Sequence, residues 1–328
     1  MFRRLLLGAV LTAGLTASAR SAEIDNLLPA ETESVMYLNV RQIIDSDLVK
    51  KYALGQIKQM LAGNEEAQRM LKDLGLDPLK DIERVTVGIW GKGPEDMQTI
   101  AVIRGAFDKD KLIEAAKKEA KNNGDKIAVV KEGEHELVKY TDEKQPKPFF
   151  AGVADGKTII AGNDKKLVAK TLDAAKENAK PAIKKELALL LLGMDEKSSM
   201  YFCGMTDGKI DQLPPGVNIP GVDSAKLVKQ LENMRNFAMT FRVTDEVGLD
   251  VSMGMKDDDT AEDFGDTISQ LIGTVKGFLP LVTGQQPNFK PLADEVSKTL
   301  KSKVKAKNVS IVLKLSAEAI GKATGGGD

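Results

Sequence analysis

The sequence predicts an α+β protein made of two similar antiparallel sheet domains, each with helices on one face of its sheet. Two stretches carry this prediction, because each contains two runs of alternating apolar and polar residues joined by a turn. They are residues 82–107, IERVTVGIW-GKGPEDM-QTIAVIRGAF, and residues 236–255, NFAMTFRV-TDE-VGLDVSMGM. Successive side chains of a strand point to opposite faces, so each stretch is typical of a hairpin with one covered and one solvated face.

The second hairpin shows the alternation most clearly. Its large apolar residues share one face, which we predict to be the buried one: Phe237, Met239, Phe241, Val243, Val247, Leu249, Val251, Met253 and Met255. Ala238 and Thr240 fall on the other face, which we predict to be solvated. In the first hairpin, Val85 and Val87 alternate with Arg84 in the same way.

The order of the predicted elements also repeats. Both halves consist of strand, helix, strand, strand, helix and strand, which is the βαββαβ order of ferredoxin-like domains. The first strand of each half carries a Ser-x-Met-Tyr string, at residues 34–37 and again at residues 198–201. We therefore predict a duplicated fold with one domain over residues 23–180 and a second over residues 181–323. The first half has one extra hairpin.

In the first half, each predicted element follows from its periodicity and its boundaries. Residues 34–41 alternate as a strand, and residues 45–61 and 65–74 have helical spacing that ends at Gly75. The remaining elements are the first hairpin, a helix over 109–122, hairpins over 127–140 and 149–161, and a helix over 163–178.

The second half begins with a linking helix over residues 183–192, which has a strongly apolar face. The later elements are a strand over 199–205, a helix over 225–234, the second hairpin, a helix over 257–278, a break at 280–287, a helix over 289–302, a strand over 307–315 and a helix over 317–323. The segment QLPPGVNIPGVD at residues 212–223 is predicted to be a loop because it is rich in Pro and Gly. Residues 324–328 are predicted to be a disordered tail.

The N-terminus is typical of a secretory signal peptide, residues 1–19. Arg3 and Arg4 precede a short apolar run, and the Ala-Ser-Ala string at residues 17–19 supplies the small residues that signal peptidase requires. The apolar run is shorter than the roughly 20 residues that span a bilayer, which argues against an uncleaved anchor. We therefore predict a periplasmic or secreted protein that begins near Arg20 and has no stable membrane insertion.

The charge balance argues against nucleic-acid binding. The chain has 47 Lys and Arg residues against 48 Asp and Glu residues, so its formal net charge is -1. Binding to a polyanion requires a basic patch, and the charges here are well mixed in sign. The partner is therefore predicted to be an envelope protein or a small ligand.

The residue types of common catalytic and metal sites are scarce. Cys203 is the only cysteine and His135 the only histidine. We predict Cys203 to be a small buried residue and His135 to be a surface turn residue, since neither has the neighbours that a nucleophile or a zinc site requires. The acidic run at residues 257–259 is predicted to cap a helix, with calcium binding as the weaker alternative. No cofactor and no metal site is predicted.

The predicted contact surface combines the proline-rich loop with the hairpin tip at Trp90. Prolines stiffen the loop and so lower the cost of ordering a contact. The apolar loop residues held among them are Leu213, Val217, Ile219 and Val222. In the alternative interpretation, the loop covers the protein's own core and Trp90 packs over the sheet edge. We also expect a cleft between the two domains, since ligands often bind at domain junctions.

Three segments of the first half resemble a group of uncharacterised secreted proteins of planctomycete-type bacteria. They are LLPAETESVMYLNVRQIIDSDLVKKY, LKDLGLDPLKDIERVTV and IRGAFDKDKL. The resemblance covers mainly residues 27–174. It implies a signal peptide, a first strand of this kind and a GLDPLKDI segment before the hairpin, and it implies no activity, cofactor or catalytic residue.

Taken together, these features predict an exported, non-catalytic binding or structural protein of the cell envelope. Two alternatives stay open. Asp and Glu are abundant enough to supply the carboxylate pair of a hydrolase that acts on an envelope or extracellular polymer. The methionines of the second half would suit a periplasmic carrier of an apolar ligand, although core packing explains them more simply.

Overall fold

The computed structural model describes residues 23–324, apart from residues 64–67, 69–70, 73–74, 94, 123, 125, 143–146, 178–179 and 207–222. The strands in these ranges are β1 (Ser34–Asn39), β2 (Ile82–Trp90), β3 (Gln98–Gly105), β4 (Ile127–Glu132), β5 (His135–Tyr140), β6 (Phe149–Asp155), β7 (Thr158–Gly162), β8 (Met200–Met205), β9 (Met234–Val243), β10 (Glu246–Met255), β11 (Lys301–Lys305) and β12 (Asn308–Ser316).

Helices connect these strands at most of the longer links. The α-helices are α1 (Val40–Asp45), α2 (Leu54–Ala62), α3 (Pro78–Asp81), α4 (Lys109–Asn122), α5 (Lys165–Lys176), α6 (Lys185–Leu192), α7 (Ser224–Leu231), α8 (Asp258–Gln285), α9 (Lys290–Thr299) and α10 (Ala317–Ala323). A π-helical turn, Val49–Ala53, precedes α2, and a 3-10 turn, Pro287–Phe289, precedes α9.

The twelve strands form one antiparallel sheet in the order β11-β12-β10-β9-β8-β1-β2-β3-β7-β6-β5-β4. The predicted α+β class with a large antiparallel sheet is therefore confirmed. The ferredoxin-like strand order is not confirmed, because the parallel strands of a split βαβ unit are separated by a third strand. Here β1 and β2 are direct antiparallel neighbours, since the chain returns beside β1 instead of crossing over the sheet.

The two halves of the chain meet at the centre of this sheet. β1 pairs with β2 on one side and with β8 on the other, and Tyr37 lies directly opposite Tyr201 in the second pairing. The domain boundary predicted at residue 180 falls between α5 and α6. The sheet itself is continuous from one half to the other.

All four predicted hairpins are confirmed by strand pairing: β2 with β3, β4 with β5, β6 with β7, and β9 with β10. In the β9–β10 hairpin, Phe241 lies opposite Leu249 and Met239 lies opposite Val251. Cross-strand partners project from the same face, so the apolar residues do share a face as predicted.

Helices cover both faces of the sheet, which corrects the prediction that one face of each half is solvated. We call the face that carries Tyr37, Thr86 and Tyr201 the tyrosine face. Helices α5 and α6 pack on it, and its covered residues are Val35, Thr86, Ile100, Val102, Ile160, Tyr201, Cys203, Ala238 and Thr240. Ala238 and Thr240, which we predicted to be solvated, are only 6% and 8% exposed.

The opposite face is covered mainly at its ends. Helices α7 and α8 pack around Met255 and Val309, while the turn before α2 and helix α10 pack around Val243. Between them, Met36 is 37% exposed, and Phe202 and Met239 are half-buried. The alternation therefore predicted correctly which residues share a face, but it could not predict which face is more deeply covered.

Two elements near the C-terminus differ from the prediction. Helix α8 continues through Pro280 to Gln285, where we predicted a break. A proline removes one intrahelical hydrogen bond, and a 28-residue helix retains the bonds on either side of it. Strand β11 was not predicted, and the helix predicted over 289–302 overlaps only its first two residues. It pairs with β12 and turns Val304 towards α8, with lysines at alternate positions along the sheet edge. Charged side chains on an edge strand discourage pairing with other chains.

No helix in the described part of the chain is both long and apolar enough to cross a membrane. The predicted signal peptide, residues 1–19, lies outside the described residues.

Helix α6 anchors the tyrosine face, and its two leucines test this. Leu187 is fully buried, whereas Leu189 on the same helix is 60% exposed. We expect Leu187→Ala to lower the free energy of unfolding by about 2–5 kcal/mol, because it leaves a cavity in the core. The matched change Leu189→Ala should cost about 0.5 kcal/mol or less. Urea unfolding of both variants measures this, and equal losses would show that α6 is not packed on the sheet in this way.

Candidate functional site

A cavity of about 1140 Å³ lies on the tyrosine face, where the two halves of the chain meet. We call it the central cavity. Its floor comes from β1, β2, β3 and β8, and its walls come from residues 23–26 and from the segments on both sides of α6. Both halves contribute, so this is the junction at which we expected a cleft. Large concave sites at such junctions are usual places for ligands.

Two tyrosines form the centre of the floor. Tyr37 on β1 and Tyr201 on β8 are cross-strand partners, and their rings stack with 4.7 Å between centroids and 11° between planes. Burial raises the pKa of both phenols; the nearby Arg84 lowers that of Tyr37 by a smaller amount. Both hydroxyl groups therefore stay protonated at neutral pH and can donate hydrogen bonds to a ligand.

Two arginines lie side by side next to the tyrosines. Arg84 on β2 is the cross-strand partner of Arg104 on β3 and of Asn39 on β1. Like charges at directly opposed positions repel each other across a sheet. The close placement of the two arginines is therefore unfavourable unless negative charge lies nearby.

Asp25 supplies negative charge to only one of the two arginines. Its carboxylate accepts a hydrogen bond from Nη2 of Arg104 at 3.2 Å, and its side chain is only 7% exposed. Nη1 of Arg104 also donates to the Thr158 hydroxyl at 3.0 Å. Arg84, in contrast, has no hydrogen-bond or ion-pair partner among the described residues. Its guanidinium is therefore available to a ligand in the cavity.

Two further polar atoms at the cavity are buried and have no hydrogen-bond partner in the described part of the chain. Arg104 Nε is an unpaired donor, and Gln42 Oε1 is an unpaired acceptor. The Gln42 amide is fixed from its other end, because Nε2 donates to the Val243 carbonyl at 2.7 Å. Buried polar groups are normally hydrogen-bonded, so both atoms indicate a place for a ligand or water.

Lysines and acids on the cavity walls modify this charge. Lys180 and Lys197 line it together with Glu23 and Glu196. These four charges balance each other, and Asp25 balances Arg104. The described residues of the lining thus keep one net positive charge, which belongs to Arg84 at the floor.

The predicted contact surface is only partly described. Trp90, at the end of β2, is half-buried and packs against the main core on the tyrosine face. This packing fits the alternative in which Trp90 belongs to the fold. Leu213, Val217, Ile219 and Val222 lie outside the described residues, so their contact role stays a prediction.

The other singled-out residues have structural partners. Cys203 is fully buried, as predicted, and burial raises the pKa of its thiol to about 12.

His135 is the first residue of β5 and does not lie in an exposed turn as predicted. Its side chain is only 12% exposed, and its Nε2 lies 2.7 Å from the Asp173 carboxylate. Strand pairing with β4 draws it against α5. Asp257 caps α8, and its Oδ1 accepts from the Thr260 backbone at 2.9 Å.

The described residues contain no group of three or more His, Cys, Asp or Glu side chains arranged to hold a metal ion.

Sequence reasoning missed the residues of the central cavity. It placed Arg84 on a solvated face, and it used Tyr37 and Tyr201 only as signs of a repeat. One signal was available, since the repeated string places a tyrosine at the same position in both halves. The two strings pair with each other in the sheet, and their register sets Tyr37 opposite Tyr201.

No protein-family model, curated protein or solved structure matches this chain.

The buried thiol of Cys203 gives a direct test of the core on the tyrosine face. At about pH 8, a thiol with a pKa of about 12 is almost entirely protonated and unreactive. We expect Ellman's reagent to label the native protein only as fast as it unfolds. Labelling in guanidinium chloride should give one thiol per chain. Rapid, complete labelling under native conditions would contradict the position of β8 in the core.

Proposed function

We propose that the protein is an exported, non-catalytic binding protein of the cell envelope, and that its ligand occupies the central cavity. The observation that carries this proposal is the unpaired Arg84 guanidinium beside two buried, unsatisfied polar atoms. The floor is fixed by the sheet and its polar atoms are unused, so a ligand can bind with little further ordering of the protein.

The charge of the site favours a ligand that carries a carboxylate or phosphate. Arginine presents a planar fork of donors that matches either group with two parallel hydrogen bonds. The phenol hydroxyls of Tyr37 and Tyr201 add donors close to it. We therefore propose a small anionic ligand that also has hydrogen-bonding groups.

The hydrolase alternative has less support from this geometry. Asp25 is the most deeply buried of the three acids at the cavity, and it is already held by Arg104 and by the backbone N–H of Leu27. A carboxylate in that position stabilises a neighbouring cation and is poorly placed to act as an acid or a base.

We further propose that the two halves are a duplication, with the Tyr37–Tyr201 pair on the axis that relates them. The pairing register supports this. Tyr37 lies opposite Thr86 in the first half, and Tyr201 lies opposite Thr240 in the second. Beyond them, β2, β3, β7 and β6 on one side correspond to β9, β10, β12 and β11 on the other, and the β4–β5 hairpin is the extra element.

Removal of the Arg84 guanidinium tests the binding proposal. Uronic-acid oligosaccharides, sugar phosphates and dicarboxylates would be titrated into the protein by calorimetry, each beside its neutral analogue. We expect an anionic compound to bind, and Arg84→Gln to weaken it by about tenfold or more, because a charged hydrogen bond is lost. Added salt should weaken binding to the wild type and have little effect on the variant.

Arg235→Gln is the matched control, because Arg235 is a half-buried strand arginine that does not line the central cavity. It should bind as the wild type does. If Arg84→Gln folds and keeps full affinity, or if the neutral analogues bind equally well, the ligand does not use this site.

Export is tested separately by the N-terminus of the mature protein. We propose cleavage after Ala19, on the basis of the Ala-Ser-Ala string at residues 17–19. N-terminal sequencing of protein from the periplasmic or culture fraction should then begin at Arg20. Intact Met1 on protein from the cytoplasmic fraction would reject export.

A further inference from the structure

We infer a second binding site, a pocket beneath helix α4 that takes an uncharged apolar molecule of about ten carbon atoms. The pocket has a volume of about 240 Å³ and lies between α4 and strands β5, β6 and β7. All the described residues that line it belong to the first half of the chain, and none of them lines the central cavity. The inference therefore does not depend on the function proposed above.

The lining of this α4 pocket is almost entirely apolar. Leu112 and Ala116 of α4 form its roof, while Val138, Val153 and Ile159 form its floor. The small residues on both sides create the space. Ala115 and Ala116 face the sheet where most core helices carry larger side chains, and Ala151 lies on the strand below them.

The pocket is partly open to the surface, so a ligand can enter it, and its volume sets the size of that ligand. An apolar cavity of about 150 Å³ stays dry and binds benzene. On that scale, the α4 pocket would hold about ten carbon atoms.

The lining of the pocket gives no support to an anionic head group. Among the described residues that line it, only Glu119 and Glu136 are charged, and neither is a cation. The Glu136 carboxylate is held by Lys117 at 2.8 Å, and this contact lowers the pKa of its carboxyl, so it is ionised at neutral pH. A fatty-acid carboxylate drawn into this apolar lining would lose its hydration, whereas an alkyl chain would lose none and an alcohol would lose less.

The inference also bears on the carrier alternative. That alternative rested on the methionines of the second half, whereas none of the described residues that line the α4 pocket is a methionine. The apolar site lies in the first half, and it arises from small residues that leave space, not from flexible residues that fill it.

Fluorescence titration with 1-aminonaphthalene, a rigid uncharged probe with ten ring carbon atoms, tests the pocket. We expect a saturable rise in emission on adding the wild-type protein. Competition by 1-nonanol should reverse this rise, and nonanoate should compete about tenfold more weakly, because its carboxylate would lose hydration at an apolar lining. Wild-type protein that shows no saturable binding, or that prefers nonanoate, would overturn the inference.

Two variants fill the pocket from opposite sides. Ala115→Leu adds carbon atoms from the helix, and Ala151→Leu adds them from the sheet. Each should weaken the probe by about tenfold or more, because the added atoms occupy ligand space. Their melting temperatures should not fall, since filling a cavity commonly stabilises a protein.

The matched control is Ala120→Leu, because Ala120 lies on the same helix but outside the lining. This variant should bind the probe as the wild type does. If both pocket-filling variants fold and bind the probe with undiminished affinity, the probe lies elsewhere.

Hydrogen exchange of the wild-type protein decides the question even if both filled variants fail to fold. Addition of 1-nonanol should slow exchange in α4 and β6 and leave β9 and β10 unchanged. Protection confined to another part of the chain would overturn the assignment.

Discussion

The pairing of β1 with β8 is the contact on which the rest of the structure depends. Each half alone would expose the edge of its first strand, and an unpaired edge is an adhesive surface. When the two edges pair, both are satisfied and the sheet reaches twelve strands. The same pairing places Tyr37 against Tyr201 and thereby creates the floor of the central cavity. Fold and site thus arise from one contact.

The second constraint is that a sheet with helices on both faces must be apolar on both. The large residues predicted for the core lie on the opposite face, where Phe202 and Met239 remain half-buried. The tyrosine face instead uses small residues such as Ala238 and Thr240, which allow the leucines of α6 to approach closely. Where no helix residue fills the space, near the ends of α6, the central cavity remains.

Local pattern was enough to predict the α+β class and all four hairpins, because alternation and turn residues are read directly from neighbouring positions. The strand order was beyond it, since the pairing of β1 with β8 joins residues far apart in the chain. Arg84 was missed because alternation shows which residues share a face and does not show which helices or segments cover that face. The lysine-rich β11 was not predicted as a strand, because its apolar signal is a single residue, Val304.

The proposed duplication gives a way to separate residues that the fold needs from residues that it does not. Positions that match across the Tyr37–Tyr201 axis can be read from the register. Thr86 corresponds to Thr240, and both are buried, as a shared packing requirement would produce. Arg84 lies two residues before Thr86, so it corresponds to Ala238, which lies two residues before Thr240. Their cross-strand partners, Arg104 and Ser252, correspond in the same way. The second half therefore builds the same sheet without charge at these positions. Two opposed arginines on a covered face lower stability, and the sheet geometry does not require them. Their presence in one half only is what a ligand site added to a duplicated scaffold would leave behind.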